Sequence, residues 1–155
     1  MAMEMTGEYR IPAPREHVWD ALNDPEILRQ CIPGCEVMEK ESDDNYTARM
    51  LAKIGPVKAK FATRIALSNL NPPESYTIAG EGKGGPAGFG KGSANVSLSE
   101  DQGETVLNYT ASMQVGGKLA QVGSRLVAGT AKKYADDFFS RFARLMSGEN
   151  GTEGG

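Results

Sequence analysis

The chain has 155 residues, 39% of them hydrophobic, with 17 basic and 20 acidic side chains and a formal net charge of −3 at pH 7. This length supports one domain that needs neither disulfides nor a structural metal, and two cysteines are too few for a disulfide framework or a zinc site. The charge balance argues against nucleic-acid binding, and the lack of a secretory leader or a long apolar run predicts a soluble, cytoplasmic protein.

The N-terminal part predicts one strand and two short helices. Apolar residues or glycine alternate with polar residues over 4–11, which is the period of a strand with one buried face. Prolines then end the strand, and the apolar spacing around Val18 and Leu22 predicts a helix. The breaker sequence at 23–25 ends this helix and opens a second one over residues 26–30.

Residues 36–115 show a period of two and predict six strands. Turn residues divide this region at 42–45, 55–56, 71–73, 84–86 and 101–103. Because these connections have hairpin length, sequential strands are expected to pair antiparallel.

The C-terminal part predicts one long helix. Apolar side chains recur about every fourth residue from Leu119 to Leu145, which fits a helix of about 27 residues and on the order of 40 Å. Residues 147–155 are predicted to be a disordered tail, so the single domain spans 3–146. The fold class is therefore α+β, with a seven-stranded curved antiparallel sheet around a long helix and a cavity between them.

Several motifs along the chain resemble a known family. The opening Ile11-Pro-Ala-Pro-Arg-Glu-His-Val-Trp19 is similar to the helix-grip superfamily of START, Bet v 1 and polyketide cyclase proteins. More narrowly, three motifs resemble the CoxG family, which is associated with carbon monoxide dehydrogenase: Cys31-Ile-Pro-Gly-Cys-Glu36, Gly55-Pro-Val-Lys-Ala-Lys-Phe61 and Gly116-Gly-Lys-Leu-Ala-Gln-Val-Gly-Ser-Arg-Leu126.

This resemblance implies an accessory protein that is not itself a redox enzyme. It would help to place a molybdenum-dependent carbon monoxide dehydrogenase, or a related hydroxylase, at the inner face of the membrane and in contact with its quinone acceptor. The implied partners are that enzyme and a small apolar ligand, with peripheral membrane association. No tightly bound cofactor is expected, and the ligand would be a quinone or a lipid.

The predicted cavity defines the candidate ligand site. Small residues on the sheet and the helix, among them Ala52 and Gly123, are expected to leave the interior incompletely packed, although the same positions could form a solid core. The candidate ligand-binding residues are Leu28, Ile32, Met50, Ala52, Phe61, Ile65, Phe89, Val96, Met113, Val115, Leu119, Val122, Gly123 and Leu126.

The glycine-rich segment 80–92 is interpreted as a hairpin at the cavity entrance. It lacks the spacing of a phosphate-binding loop, and a strand rather than a helix follows it, so a nucleotide site is not expected. Its glycines are expected to let the backbone bend sharply and to hold Phe89 at the mouth of the pocket. Phe89 as a capping core residue is the alternative.

Charged and catalytic side chains give fewer signals. The single histidine, His17, and the two cysteines predict neither a catalytic constellation nor a metal site. Lys118 and Arg125, near the start of the long helix, are candidates for docking the partner enzyme. The basic residues Lys53, Lys58, Lys60 and Arg64 either bind anionic headgroups or an acidic partner, or simply keep a wet face soluble.

Two other functions remain open from the sequence. One is a polyketide cyclase or hydratase-like enzyme that acts on an apolar substrate in the same pocket, because one fold hosts many activities. Its acid and base groups would come from Tyr46, Arg49, Glu81 and Tyr109. The other is an interaction module with a filled core.

Overall fold

A computed structural model describes residues 2–148 of the chain. A first strand is followed by two short helices, six further strands and two helices, and a 3-10 turn (Gly85–Ala87) lies between the fifth and sixth strands. The elements are β1 (Ala2–Ile11), α1 (Arg15–Leu22), α2 (Pro25–Cys31), β2 (Cys35–Ser42), β3 (Asn45–Ile54), β4 (Val57–Asn71), β5 (Ser75–Lys83), β6 (Phe89–Asp101), β7 (Glu104–Gly116), α3 (Lys118–Gln121) and α4 (Ser124–Ser147).

The strands form one antiparallel sheet in the order β1-β7-β6-β5-β4-β3-β2. Sequential strands from β2 to β7 are joined by short turns, and β1 pairs with β7, with Ala2 opposite Gln114 and Ile11 opposite Thr105. Burial alternates along the strands because successive side chains point to opposite faces of the sheet. The predicted α+β helix-grip fold, with its seven strands and their pairing, is confirmed.

The two short helices cover one end of the sheet. Helix α2 begins with proline at its first position, and the side chain of Asp24 caps it by accepting a hydrogen bond from the backbone N–H of Glu26 at 2.9 Å. Helix α1 buries Val18 and Leu22 in the main core, beside the fully buried Phe142 of α4. This end of the molecule is therefore closed by side-chain packing.

The predicted long C-terminal helix is confirmed, but it begins at Ser124 rather than at Leu119. The chain forms a single turn, α3, and restarts as α4 after Gly123, which has a φ of 97°. That backbone conformation is accessible to glycine but strained for other residues, and it breaks the helix although the apolar stripe continues across it. Helix α4 ends at Ser147, and Gly148 is its C-cap. Residues 149–155 lie outside the described residues.

Helix α4 crosses the concave face of the sheet and is fastened to β1. The Tyr9 hydroxyl donates a hydrogen bond of 2.7 Å to Asp136 Oδ1, and the Tyr9 ring stacks on Phe139 with centroids 4.2 Å apart. A second, smaller cluster at the other end packs Phe61, Val115 and Val127 together with Leu119 of α3. Within residues 2–148, no helix combines the length and apolarity needed to cross a bilayer.

Candidate functional site

The sheet and α4 enclose an apolar cavity that consists of two adjoining chambers. The inner chamber lies toward α1 and α2 and has a volume of about 300 Å³, and the more open outer chamber lies toward α3 and has a volume of about 430 Å³. Ile32, Pro33 and Tyr134 line both. These volumes fall in the lower part of the range of ~300–1,000 Å³ that is typical of small-molecule sites.

The inner chamber is lined by apolar and aromatic side chains, and none of its lining residues is charged. Its polar groups are the hydroxyls of three tyrosines. The lining residues are Leu22, Leu28, Ile32, Pro33, Tyr46, Ile65, Leu67, Tyr76, Ile78, Val96, Leu107, Tyr134, Ala135, Phe138 and Phe139. A neutral apolar molecule suits such a surface, whereas an ion would lose its hydration without gaining a counter-charge.

Glycines form one wall of the outer chamber. Gly80 pairs with Gly92 and Gly82 pairs with Gly90 across strands β5 and β6, so four residues without side chains share the inner face. A Cβ atom built on Gly80 would lie 3.7 Å from the Arg64 carbonyl oxygen, which is an ordinary contact distance. The missing side chains therefore create part of the hollow.

Segment 80–92 forms the predicted hairpin, but not all of its glycines serve the bend. Gly80, Gly82, Gly90 and Gly92 belong to regular paired strands, which continue to Lys83 and restart at Phe89. The other three glycines of the segment lie in or beside the short 3-10 turn, where the chain bends. The signal was in the sequence, because glycine at every second position places all of them on one face of a strand. Sequence reasoning missed it because glycine is depleted from strands and was assigned to a bend.

Tyr134 forms the partition between the chambers. Strand β2 begins with the pair Cys35–Met50, so β3 has no β2 partner beyond this point and presents a free edge toward α4. The Tyr134 hydroxyl accepts a hydrogen bond of 3.2 Å from the backbone N–H of Lys53 on this edge. This hydrogen bond joins the sheet edge to the helix at the boundary between the chambers, which Tyr134 shares with Ile32 and Pro33.

Most of the predicted ligand-binding residues line one of the chambers. The residues of the sheet do so because they occupy the alternate strand positions whose side chains face the helix. Leu28 reaches the cavity from α2, and Ile32 reaches it from the C-cap of that helix. In the inner chamber these are Leu28, Ile65 and Val96; in the outer chamber they are Met50, Ala52, Phe61, Met113, Val115 and Leu119; Ile32 belongs to both.

Four predicted residues are not among those lining the chambers. Phe89 alternates with the inward Gly90, so its ring lies on the outer face of the sheet, 40% exposed, against Gly116. Leu126 is 42% exposed and covers Gly55, and Val122 packs in the smaller core cluster. At Gly123 an added Cβ would meet no atom within 4 Å, so a larger residue there would not obstruct the cavity.

The groups suggested for a cyclase do not converge in the cavity. Tyr46 lines the inner chamber, but its hydroxyl donates to the Asn23 carbonyl at 3.0 Å. Tyr109 packs over Gly7 and stacks with Tyr9, with ring centroids 6.2 Å apart. Arg49 and Glu81 are exposed and alternate with inward-facing residues, so their side chains point to the opposite face of the sheet. Glu81 borders the outer chamber only between the inward-facing Gly80 and Gly82. The described residues therefore bring no acid and base pair together here.

The cysteines are not activated. Cys31 is fully buried, and desolvation raises the pKa of its thiol to about 11. Desolvation also raises the pKa of the half-buried Cys35 thiol. Among residues 2–148, no group of three or more histidine, cysteine or acidic side chains is placed to hold a metal ion.

Basic side chains lie on the outer face of strands β3 to β6 at the end that carries the outer chamber, and two more belong to helices α3 and α4. Lys53 and Lys58 are opposite each other on β3 and β4, and Lys118 is exposed at the start of α3. Within residues 2–148, one cation of this group forms an ion pair, Lys60 with Glu36 at 3.6 Å. We call the following residues the basic surface: Lys53, Lys58, Lys60, Lys83, Lys91, Lys118 and Arg125.

Solved structures share this fold. A conserved protein from Geobacillus kaustophilus is 34% identical, with a TM-score of 0.87 over 94% of this chain and 95% of that one. The Zhui aromatase/cyclase from Streptomyces sp. R1128 is 14% identical, with a TM-score of 0.65 over 94% of this chain and 96% of that one. Ara h 8.0201 is also 14% identical, with a TM-score of 0.68 over 95% and 99% of the two chains.

The two distant structures support the fold alone. A comparison with curated proteins gives no significant match. The model of the carbon monoxide dehydrogenase CoxG family matches residues 7–147, which is nearly the whole domain. The motifs, the fold and this match agree, and the chain belongs to the carbon monoxide dehydrogenase CoxG family.

Proposed function

We propose that this protein is a non-catalytic carrier that holds a neutral apolar molecule, a quinone or a lipid, in the divided cavity. It presents this molecule to a carbon monoxide dehydrogenase-type molybdenum hydroxylase. Family membership supports an accessory role in such a system in general. The observation that carries the finer proposal is the cavity itself, because two apolar chambers of about 300 and 430 Å³ lie between the sheet and α4.

The carrier hypothesis fits the chemistry of the lining better than an enzymatic one. Binding of an apolar molecule requires removal of apolar surface from water, which the chambers provide. General acid–base catalysis requires titratable groups within hydrogen-bond reach of the substrate. Tyr46 is the one member of the suggested acid and base set whose side chain lines the inner chamber, and its hydroxyl is engaged by Asn23.

The basic surface supports exchange of the ligand at an anionic membrane. It lies at the end of the sheet that carries the outer chamber, and Phe89, which is 40% exposed, is opposite Lys83 in the pairing of β5 with β6. Lysines near an anionic bilayer contribute about 1 kcal/mol each. Replacing Lys58, Lys83 and Lys118 with alanine is therefore expected to weaken binding to vesicles with anionic lipids by up to about 100-fold. Lys118 and Arg125 remain the proposed contacts for the partner enzyme.

Native mass spectrometry on protein purified without detergent tests the carrier function. The expected result is a bound apolar molecule that organic extraction identifies as a quinone or a lipid. A neutral aromatic hydrocarbon such as dimethylnaphthalene should also bind to the emptied protein. Protein that carries no such molecule and does not bind the hydrocarbon would contradict the proposal.

A vesicle co-sedimentation assay tests the membrane step separately. The triple alanine variant is compared with a control that lacks three cations outside the basic surface, Lys40, Lys132 and Lys133. Added salt should weaken the binding of the wild type, because exposed charges are screened. Equal losses in both variants would refute the role of the basic surface and leave the carrier function intact.

A further inference from the structure

The three tyrosine hydroxyls of the inner chamber differ in their hydrogen bonding. Tyr46 donates to the Asn23 carbonyl, and Tyr134 accepts from the Lys53 N–H. The Tyr76 hydroxyl forms no hydrogen bond with any of residues 2–148. Among the three, it is the hydroxyl that neither donates nor accepts a hydrogen bond within residues 2–148, whereas Tyr134 uses its oxygen as an acceptor.

The position of Tyr76 is fixed by its strand and its neighbours. It lies on the inner face of β5 opposite Val96, and its ring meets Trp19 of α1 edge-on with centroids 5.3 Å apart. The residue is 8% exposed, so more than nine-tenths of its surface is buried. Burial raises the pKa of this phenol well above its usual range, and the hydroxyl keeps its proton.

The Tyr76 hydroxyl belongs to a largely buried residue, but it is not among the fully buried polar atoms that lack a partner, so a small molecule can reach it. An acceptor atom of a ligand placed beside this hydroxyl would form a hydrogen bond with a net contribution of about 0.5–1.5 kcal/mol. The lining of the inner chamber includes no basic side chain. An anionic acceptor such as a fatty-acid carboxylate would therefore be buried without a counter-charge, which is unfavourable. A neutral carbonyl oxygen can accept the hydrogen bond and needs no counter-charge.

We propose that the Tyr76 hydroxyl recognises the ligand by donating a hydrogen bond to a neutral carbonyl oxygen in the inner chamber. The rest of the ligand is apolar and extends past Tyr134 into the outer chamber. The ligand class is thus an elongated apolar molecule with a carbonyl at its leading end, such as a quinone ring with a tail. This inference rests on the proposed carrier function and adds the direction in which the ligand is held.

Equilibrium dialysis with a matched pair of probes tests the inference. Dimethyl-naphthoquinone carries the carbonyl oxygens, and its methyl groups block addition of thiols to the ring, whereas dimethylnaphthalene has the same fused ring system without oxygen. The wild type should bind the quinone more tightly than the hydrocarbon. In Tyr76→Phe the quinone should lose about three- to tenfold in affinity, and the hydrocarbon should bind as before.

Tyr109→Phe is the control, because it removes the hydroxyl of a tyrosine that lines neither chamber. It should leave the ratio of the two affinities unchanged. If Tyr76→Phe keeps the wild-type ratio, or if the wild type does not prefer the quinone, the role of Tyr76 is refuted while the carrier function stands. If neither probe binds to the wild type, the carrier function itself fails.

Discussion

Filling the outer chamber from its glycine wall provides a direct test of the site. Gly80 is suited to this change because its φ is not in the left-handed region and a Cβ would have ordinary contacts, with Ile65 Cγ1 at 4.0 Å. In Gly80→Leu the new side chain would project into the chamber of about 430 Å³. Ligand and side chain would then compete for the same space.

The expected change in stability follows from the carbons that become buried. Four carbons at about 0.8 kcal/mol each contribute at most about 3 kcal/mol. The new leucine loses rotamer freedom, which lowers this gain by about 0.5–1 kcal/mol. Replacing a glycine within a strand raises the free energy of unfolding by a similar amount, because the unfolded chain becomes less flexible. We therefore expect the free energy of unfolding to rise by about 1–3 kcal/mol, while the affinity for dimethylnaphthalene falls by at least about tenfold.

Urea denaturation followed by the fluorescence of the single tryptophan, Trp19, measures the stability, and equilibrium dialysis measures binding. Gly129→Leu is the matched control, because Gly129 lies in α4 with no atom within 4 Å of an added Cβ. Leucine there should stabilise the helix by up to about 1 kcal/mol and leave binding unchanged. A Gly80→Leu variant that binds like the wild type, or that unfolds more readily, would refute the assignment of this wall.

Three further predictions concern single groups. Thr105→Val should lower the free energy of unfolding by about 1–3 kcal/mol in urea titrations, because the buried Thr105 hydroxyl donates to the Ala13 carbonyl at 2.7 Å. Burial raises the pKa of the Cys31 thiol to about 11, so the free energy of unfolding should fall as the pH rises from about 9 to 11. The fall should be steeper in the wild type than in Cys31→Ala, and parallel pH profiles of the two proteins would contradict this. Tyr134→Phe loses the hydrogen bond from the Lys53 N–H, so stopped-flow measurements should show faster ligand release, and an unchanged rate would exclude the partition as a barrier.

The sequence predicted the elements that depend on local patterns. Alternation along β4 and β7 located both strands and the face of each that is buried, because a period of two is enforced by the pleat of a strand. The breaker residues before α2 located its start for a similar reason, since Asp24 caps it. Inward residues such as Phe61 and Val115 followed from the same alternation.

The features that the sequence analysis missed depend on backbone geometry rather than on apolar periodicity. At Gly123 the stripe of apolar residues continues while a φ of 97° breaks the helix, and this angle is set by the turn that joins α3 to α4. Phe89 was predicted to lie at the mouth of the cavity, but the alternation of side chains along β6 points it to the outer face of the sheet. The partition at Tyr134 depends on where β2 stops pairing with β3, and that register is a tertiary property.

The glycine pairs of β5 and β6 have a consequence for the entropy of binding. A wall made of backbone has no side-chain rotamers to immobilise when a guest arrives, so that part of the usual ordering cost is absent. It also carries no protruding groups that would discriminate among guests by branching or length. The outer chamber is thereby suited to accept tails of varied shape. Selectivity would then depend on the chemistry of the other end of the ligand, which lies in the inner chamber.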